Sequence, residues 1–210
     1  RVQLVRSRTQ HVLAIENILA RSTGSRPSAA AIKRLAPSDV GTLGLAPNVA
    51  LAVQANLAVI ATLNLEIGRV EARLLESVKL RPDYAWLKTI PGIGEVLAIV
   101  IMLETGDVSR FAQVGNFASY ARCVDSARYS NGKKKGEGNT KNGNAYLVWA
   151  FVGAANFARR YSEEAKRFFE RKKAKTNSVV ATKALAHKLA RASYHMLKEG
   201  QPFDVKRCFV

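Results

Sequence analysis

Residues 48–79 read NVALAVQANLAVIATLNLEIGRVEARLLESVK. Apolar residues recur there at alternating steps of four and three, with Asn56 filling one position of the series: Val49, Val53, Ile60, Leu63, Ile67, Val70 and Leu74. This spacing predicts a long helix with a continuous apolar heptad seam. The seam fits a coiled coil between chains, with Asn56 setting register and partner number, or an antiparallel hairpin with a helix at residues 2–21. A seam sustained over several heptads favours the coiled coil.

Helical patterns also cover most of the remaining chain, and we find no convincing strand. The predicted helices are 2–21, 95–104, 112–122, 145–161, 163–175 and 178–199. Ser162 and either Thr176 or Asn177 are suited to cap helix N-termini, and Gly200 is suited to close the last helix. We therefore expect a mainly α fold, with a helical linker and coiled-coil region over 1–80 and a second helical domain over 81–210.

The sequence Ile90-Pro91-Gly92-Ile93-Gly94 separates two apolar helical stretches and predicts a helix-hairpin-helix-like turn. Gly92 and Gly94 allow the backbone to turn tightly and approach a ligand closely. The helix that follows begins with free N–H groups, which bind phosphate without reading base sequence. This motif favours binding of DNA by Gly92 and Gly94. The alternative is a tight turn that only packs.

The segment 126–144, SARYSNGKKKGEGNTKNGN, is nearly devoid of apolar residues and is predicted to be a basic loop. Lysines and backbone N–H groups suit it to phosphate, and a hydroxyl beside them suggests attack on that phosphate. Ser130 is the predicted nucleophile, with Tyr129 as an alternative. The residues predicted to hold nucleic acid are Arg128, Lys133, Lys134, Lys135 and Lys141, together with the basic stretch Lys172, Lys173 and Lys175. The competing interpretation is a disordered basic linker.

The charge of the chain also indicates a nucleic-acid partner. Its 210 residues carry 33 Lys+Arg against 16 Asp+Glu, a net charge of +17. Residues 121–210 hold 20 Lys/Arg against 7 Asp/Glu, so the binding surface is expected mainly in that part. No apolar run of about 18 residues and no signal peptide were recognised, which disfavours a membrane. Cys123 and Cys208 form no CxxC spacing, which argues against zinc and fits a reducing cytoplasm.

Other chemistry has weaker support in the sequence. Glu104, Asp107 and Asp125 share no metal-binding motif, so we predict no metal site in this chain. The histidines of the last predicted helix, His187 and His195, are expected to be solvated or packed. Because the chain opens at Arg1 inside a helical pattern, we expect it to be part of a longer protein.

Several of these segments together resemble the Piv/MooV-type insertion-sequence transposases, which are bridge-RNA-guided recombinases of bacterial mobile elements. The resemblance rests on YSNGKKKGEGNTKNGN (129–144), AYLVWAFVGAANFARRY (145–161) and the later FFERKKAKTNSVVATKALAHKLARASYHML. The stretches IPGIGEVLAIVIMLETGDVSRF and NFASYARCV resemble the start of the same domain. The opening LVRSRTQ and the heptad helix resemble the region that precedes it.

The resemblance implies a catalytic serine, here Ser130, that joins covalently to DNA during strand exchange. It further implies an N-terminal RuvC-like domain with four acidic residues that bind magnesium, and composite sites built from two protomers. Relatives commonly carry glycine directly after the serine, whereas here Asn131 precedes Gly132. The acidic domain has no counterpart in this sequence, so the resemblance implies that the chain has no cofactor of its own and does not recombine DNA alone.

Three functions are consistent with these observations. The first is the C-terminal part of a DNA transposase that donates Ser130, binds DNA and guide RNA, and forms dimers or tetramers through the coiled coil. The second is a non-catalytic nucleic-acid-binding and dimerisation module from a truncated element. The third is a purely structural dimerisation fragment, which the basic C-terminal part disfavours.

Overall fold

The structure is a computed structural model that describes residues 1–124, 127–137 and 142–209. It is mainly α-helical, as predicted. The helices are α1 (Val2–Thr23), α2 (Ala29–Ile32), α3 (Pro47–Val78), α4 (Pro82–Leu87), α5 (Glu95–Thr105), α6 (Val114–Tyr120), α7 (Ala145–Tyr161), α8 (Glu163–Lys175), α9 (Ser178–Glu199) and α10 (Val205–Phe209). Short 3₁₀ helices cover Pro37–Leu43 and Val108–Arg110, and two strands are β1 (Ala127–Ser130) and β2 (Lys133–Glu137). The chain divides into two compact units, Arg1–Leu74 and Leu75–Val210.

The first unit is an antiparallel helical hairpin formed by α1 and the part of α3 that lies within it. Arg1 Nε donates to Glu71 Oε1 at 2.6 Å, and Arg8 Nη1 donates to Asn64 Oδ1 at 2.7 Å. The residue further along α1 is bonded to the residue that comes earlier in α3, so the two helices run in opposite directions.

The heptad seam of α3 forms the core of this hairpin within one chain. Its buried side chains pack with those of α1 and the connection: Val12, Ile15, Leu19, Ile32, Val40, Val53, Leu57 and Ile60. Asn56 Oδ1 lies 2.8 Å from Nδ1 of His11 on α1, so the polar seam position is also satisfied inside the chain. The preference for a seam between chains was therefore wrong. A partner helix in the same chain has a high effective concentration and occupies the seam first.

The opposite side of α3 carries exposed leucines at Leu51 and Leu65 and a partly exposed Val59. By length and composition alone, Pro47–Val78 is apolar enough to cross a membrane, with 22% of its most apolar window buried. The sequence analysis did not recognise this run. A single such helix is weak support for a membrane span, because core helices of other proteins pass the same test.

The second unit is built around α7, whose inner face is fully buried at Leu147, Phe151 and Ala154. Phe117 of α6 packs edge-on to Phe151, with ring centroids 6.2 Å apart. From α9, Tyr194 donates through its hydroxyl to the carbonyl of Phe111 at 2.9 Å. Helices α6 and α9 thus share one aromatic core with α7.

The predicted helix ends are also found in this unit. Ser162 accepts a hydrogen bond from the Ala165 N–H at 3.2 Å, and Asn177 accepts one from the Val180 N–H at 3.0 Å. Asn177, rather than Thr176, is therefore the cap of α9. Gly200 ends α9 in the left-handed conformation, with φ of 66°.

The predicted loop at 126–144 is where the fold differs from expectation. Residues 127–137 form a two-stranded antiparallel hairpin, so the absence of strands was a wrong prediction. The missed signal is Asn131-Gly132, the dipeptide most typical of a two-residue hairpin turn. The lysine-rich composition argued against a strand at 127–137, because lysine is depleted in strands.

Candidate nucleic-acid interface

Ser130 lies at the tip of the β1–β2 hairpin, as the last residue before its turn. Asn131 and Gly132 have φ values of 51° and 70°. Both values are left-handed, as a type I′ turn requires, and asparagine and glycine are the residues that adopt this region at least cost. The sequence departure noted above, Asn131 before Gly132, is therefore what permits the tight turn. The Ser130 side chain is exposed.

Lys133 is the residue directly opposite Ser130 across the turn. Residues opposite each other in an antiparallel pair project to the same face, with Cβ atoms about 5 Å apart. Lys133 is exposed, so an ammonium group within reach of the serine faces solvent with it. Such a pair suits the binding of a phosphate next to a hydroxyl.

An irregularity in the ladder distinguishes Lys135 from its neighbours. Arg128 pairs with Gly136 whereas Tyr129 pairs with Lys134, which leaves Lys135 as an extra residue in β2. Lys135 is exposed. For Arg128 and Lys134 only the backbone is described, and Lys141 lies outside the described residues. The structure thus brings Lys133 next to Ser130 and places Lys135 on the same strand.

Residues 121–124, which follow α6, and 142–144, which precede α7, are in contact and are called the neck here. The Asn144 N–H donates to the Tyr120 carbonyl at 2.6 Å, and Arg122 Nη2 donates to the Gly143 carbonyl at 2.9 Å. Gly143 has φ of 81°, and a Cβ added there would lie 2.6 Å from the Tyr120 oxygen. Only glycine fits this position, because any side chain would collide with backbone.

Asn144 connects the neck to both α5 and α7. Its Oδ1 accepts from the N–H groups of Tyr146 at 2.8 Å and Leu147 at 3.0 Å, which caps α7. Its Nδ2 donates to Glu104 Oε2, near the end of α5, at 2.5 Å. The Asn144 side chain therefore links the end of α5 to the start of α7.

Tyr120 and Arg110 complete the polar cluster at the neck. The Arg110 guanidinium lies 4.6 Å from the centre of the Tyr120 ring and 4.5 Å from that of Phe111. The hydrogen bond from Asn144, followed by that from Arg110, lowers the pKa of the Tyr120 hydroxyl. Sequence reasoning missed this cluster, although an asparagine directly before an apolar helix is itself a capping signal.

The two glycines of the helix-hairpin-helix-like turn have different surroundings. Gly92 has φ of +87°, and a Cβ there would lie 2.4 Å from the Ala154 carbonyl and 2.5 Å from the Ala158 nitrogen. Close packing against α7 therefore accounts for Gly92 without a ligand. Gly94, the residue before α5, is exposed, and a Cβ there would meet nothing within 4 Å. Of the two, Gly94 has the accessible backbone that contact with phosphate requires.

The remaining predicted cations form a separate group. Lys172, Lys173 and Lys175 are exposed in the last turns of α8. Lys173 Nζ lies 3.6 Å from Glu170. The group lies at the end of the helix where the partial negative charge of the carbonyls favours cations, so helix stability also accounts for it.

Among the described residues, the candidate metal ligands and histidines form no shared site, and Asp125 lies outside the described residues. Within residues 1–124, 127–137 and 142–209, no group of three or more His, Cys, Asp or Glu side chains could hold a metal ion. Glu104 binds Asn144, and Asp107 accepts from the Ser109 N–H at 2.8 Å. His195 lies 3.5 Å from Glu199, one turn away on α9.

Comparison with known proteins gives one match. Residues 84–170 match the model of a family described as "Transposase IS116/IS110/IS902 family". The matched segment runs from α4 into α8 and includes Gly94, Ser130 and the neck. No curated protein matches the chain. The match confirms the resemblance to insertion-sequence transposases and supports a role in DNA transposition or recombination.

Proposed function

We propose that this chain, whose residues 84–170 match the model of the Transposase IS116/IS110/IS902 family, supplies the serine nucleophile for transesterification of DNA phosphate. The observation that supports this most directly is Ser130 on a two-residue turn, exposed and opposite Lys133. A nucleophile at a hairpin tip can enter the groove of a duplex, and its orientation is set by the turn.

The reaction exchanges one phosphodiester bond for another. Ser130 Oγ attacks the phosphorus of a DNA strand, the Oγ–P bond forms, and the bond from phosphorus to the outgoing DNA oxygen breaks. The serine proton passes to solvent water during attack, and the leaving oxygen takes up a proton from solvent to become a hydroxyl. Lys133 stabilises the negative charge that develops on the phosphoryl oxygens, and Lys135 holds the adjoining backbone.

The resemblance implies magnesium bound by an acidic domain. The part of this chain that the structure describes has no cluster of metal-ligating side chains, so these residues do not fit the ion and no step is assigned to it here. Serine is a weak nucleophile that needs a neighbouring base or strong charge stabilisation. The lysines of β2 supply the charge stabilisation.

DNA and a guide RNA are the proposed partners. Folding does not require a net charge of +17, and this charge is complementary to the phosphates of nucleic acid. Assembly into dimers or tetramers is also a proposal. Since α1 occupies the heptad seam, we assign assembly to the exposed side of α3 at Leu51, Val59 and Leu65. At about 100° per residue these three side chains lie within about 120° of arc, so they share one face of the helix, as a helix–helix contact requires.

The test is covalent trapping on nicked DNA, with guide RNA, magnesium and the acidic domain that the resemblance implies. We expect a protein–DNA species that resists SDS, maps to Ser130 and disappears in Ser130→Ala. The control is Ser178→Ala, which removes an exposed hydroxyl from α9 and should leave the adduct unchanged. An adduct that persists in Ser130→Ala would refute the assignment.

The alternative is a non-catalytic nucleic-acid-binding module. The separate cationic group on α8 favours it, since that group needs no chemistry to bind phosphate. Both functions predict salt-sensitive binding, with a log–log slope of about −0.9 per neutralised phosphate on B-DNA. Only the module predicts that binding persists while no covalent adduct forms under any complementation.

A further inference from the structure

The outer face of α7 carries a stripe of exposed aromatic side chains that the proposed chemistry does not use. Tyr146, Trp149, Phe157 and Tyr161 are 43%, 48%, 45% and 76% exposed. At about 100° per residue they fall within roughly 120° of arc, so they share one face. Among the described residues, every exposed large aromatic side chain lies on this stripe.

Gly153 lies in the middle of the stripe and keeps it flat. Trp149 and Phe157 are about 12 Å apart along the helix, and Gly153 places no side chain between them. A Cβ at Gly153 would lie 3.8 Å from the methyl groups of Leu97, so the base of this gap is apolar.

Positive charge adjoins the stripe at both ends. Arg160 is exposed within the same arc, and Lys88 lines the groove that contains Phe157 and Tyr161. At the other end, Tyr146 follows the neck of the lysine-bearing hairpin by two residues. Glu95, the nearby acid in that groove, is 3.7 Å from Lys88. Exposed aromatic rings flanked by cations are complementary to a polyanion with planar bases.

We propose that the outer face of α7 binds single-stranded nucleic acid by stacking unpaired bases on Tyr146, Trp149, Phe157 and Tyr161. Base faces are accessible only when bases are unpaired, whereas a duplex presents phosphates and base edges. The stripe spans about 22 Å, the length of roughly six stacked nucleotides. The inference rests on the proposed function for the presence of nucleic acid, and it adds the strand type and the surface.

The test uses Trp149 as its own reporter. The chain has two tryptophans, and Trp86 packs against Gly200, so Trp86→Phe leaves Trp149 as the emitter. We would titrate this variant with a 12-nucleotide oligothymidine, a 12-nucleotide oligouridine and a 12-base-pair duplex. Both single strands are expected to quench Trp149, and the duplex to bind without quenching.

Substitutions separate stacking from phosphate contact. Trp149→Ala and Phe157→Ala should each weaken single-strand binding by about 5- to 100-fold, by factors that persist at 0.1 and 0.4 M salt. Gly153→Ala fits the available space and should bind normally, whereas Gly153→Glu places a negative charge in the gap and should not bind. Leu80→Ala, at a leucine that is 89% exposed elsewhere, is the matched control.

Three results would overturn the proposal. Duplex and single strand could quench Trp149 fluorescence equally, or anisotropy could show that the single strands bind without any quenching. Trp149 quenching could also depend on protein concentration alone, without added oligonucleotide. The last would identify the stripe as a contact between proteins. Ser130→Ala should leave the quenching intact. A failure of stacking is therefore distinguishable from a failure of the serine chemistry.

Discussion

Asn144 Nδ2 lies 2.5 Å from Glu104 Oε2, so the residue that caps α7 also binds the carboxylate near the end of α5. The Asn144 backbone N–H is bonded in turn to the Tyr120 carbonyl at 2.6 Å. One residue therefore links α5, α6 and α7 where the hairpin that bears Ser130 leaves the body.

Asn144→Asp should separate capping from the link to Glu104. Aspartate caps helices as well as asparagine, but it replaces the Nδ2 donor with an oxygen that faces the Glu104 carboxylate. We expect a loss of about 1–3 kcal/mol in unfolding free energy and faster tryptic cleavage at Lys133 and Lys135. The loss should shrink at acidic pH, where one of the two carboxylates is protonated.

The compensating variant is Glu104→Gln combined with Asn144→Asp, which restores the hydrogen bond with donor and acceptor exchanged. Thermal melting and proteolysis should both return toward wild type. Additive losses in the double variant would show that the two side chains are not coupled.

Gly92→Ala and Gly94→Ala form a matched pair at the predicted DNA-binding turn. At Gly92 the new Cβ would collide with α7 backbone, and φ of +87° is unfavourable for alanine, so we expect a lowered melting temperature from a loss of about 2 kcal/mol or more. At Gly94, where φ is −87° and the space is open, stability should hardly change. If Gly94 contacts phosphate, only its nucleic-acid affinity should fall. Equal destabilisation by both substitutions would contradict the packing assigned to Gly92.

The turn at the hairpin tip should tolerate glycine but not β-branched residues. Asn131→Gly keeps the left-handed region accessible, whereas Asn131→Val and Gly132→Val do not. We expect the valine variants to lose covalent attachment in the trapping assay and to be cleaved faster by trypsin at Lys133, with an unchanged global melt. Full attachment by either valine variant would show that the turn does not position Ser130.

Asn56→Leu tests the occupant of the heptad seam. In the single-chain hairpin it leaves His11 without its partner at 2.8 Å, and we expect a loss of about 1–2 kcal/mol with no change in mass by light scattering. If the seam instead joined chains, leucine at position 56 would change the oligomeric state.

The double variant Leu51→Glu with Leu65→Glu, on the exposed side of α3, should lower the oligomeric state measured by light scattering.

The two thiols should be unreactive while the chain is folded. Burial raises the pKa of Cys123 to about 12 and that of Cys208 to about 11. Unfolding lowers both pKa values, so this contribution to stability is complete below about pH 8.5 and is lost as pH rises toward the folded values. Iodoacetamide should label unfolded chain rapidly at pH 8 and folded chain at the rate of local opening. Rapid labelling of folded protein would contradict the burial.

Prediction from sequence succeeded where the determining interactions are local. The helix 145–161 and its start and end were predicted to the residue, because its apolar period and its flanking residues lie within a few positions of one another. The caps at Ser162 and Gly200 succeeded for the same reason. The hairpin was local as well, and it was missed because composition was weighed above the Asn131-Gly132 turn.

The sequence by itself determined the long helices, the ends of α7 and α9, the apolar seam of α3 and the excess of positive charge. Tertiary structure alone decided that the seam packs on α1, that Gly92 packs on α7 and that Asn144 binds Glu104. Periodicity shows that a face is apolar, but not what covers it, because the covering residues lie tens of positions away in sequence. Those pairings depend on how the whole chain packs, and only the folded structure contains that information.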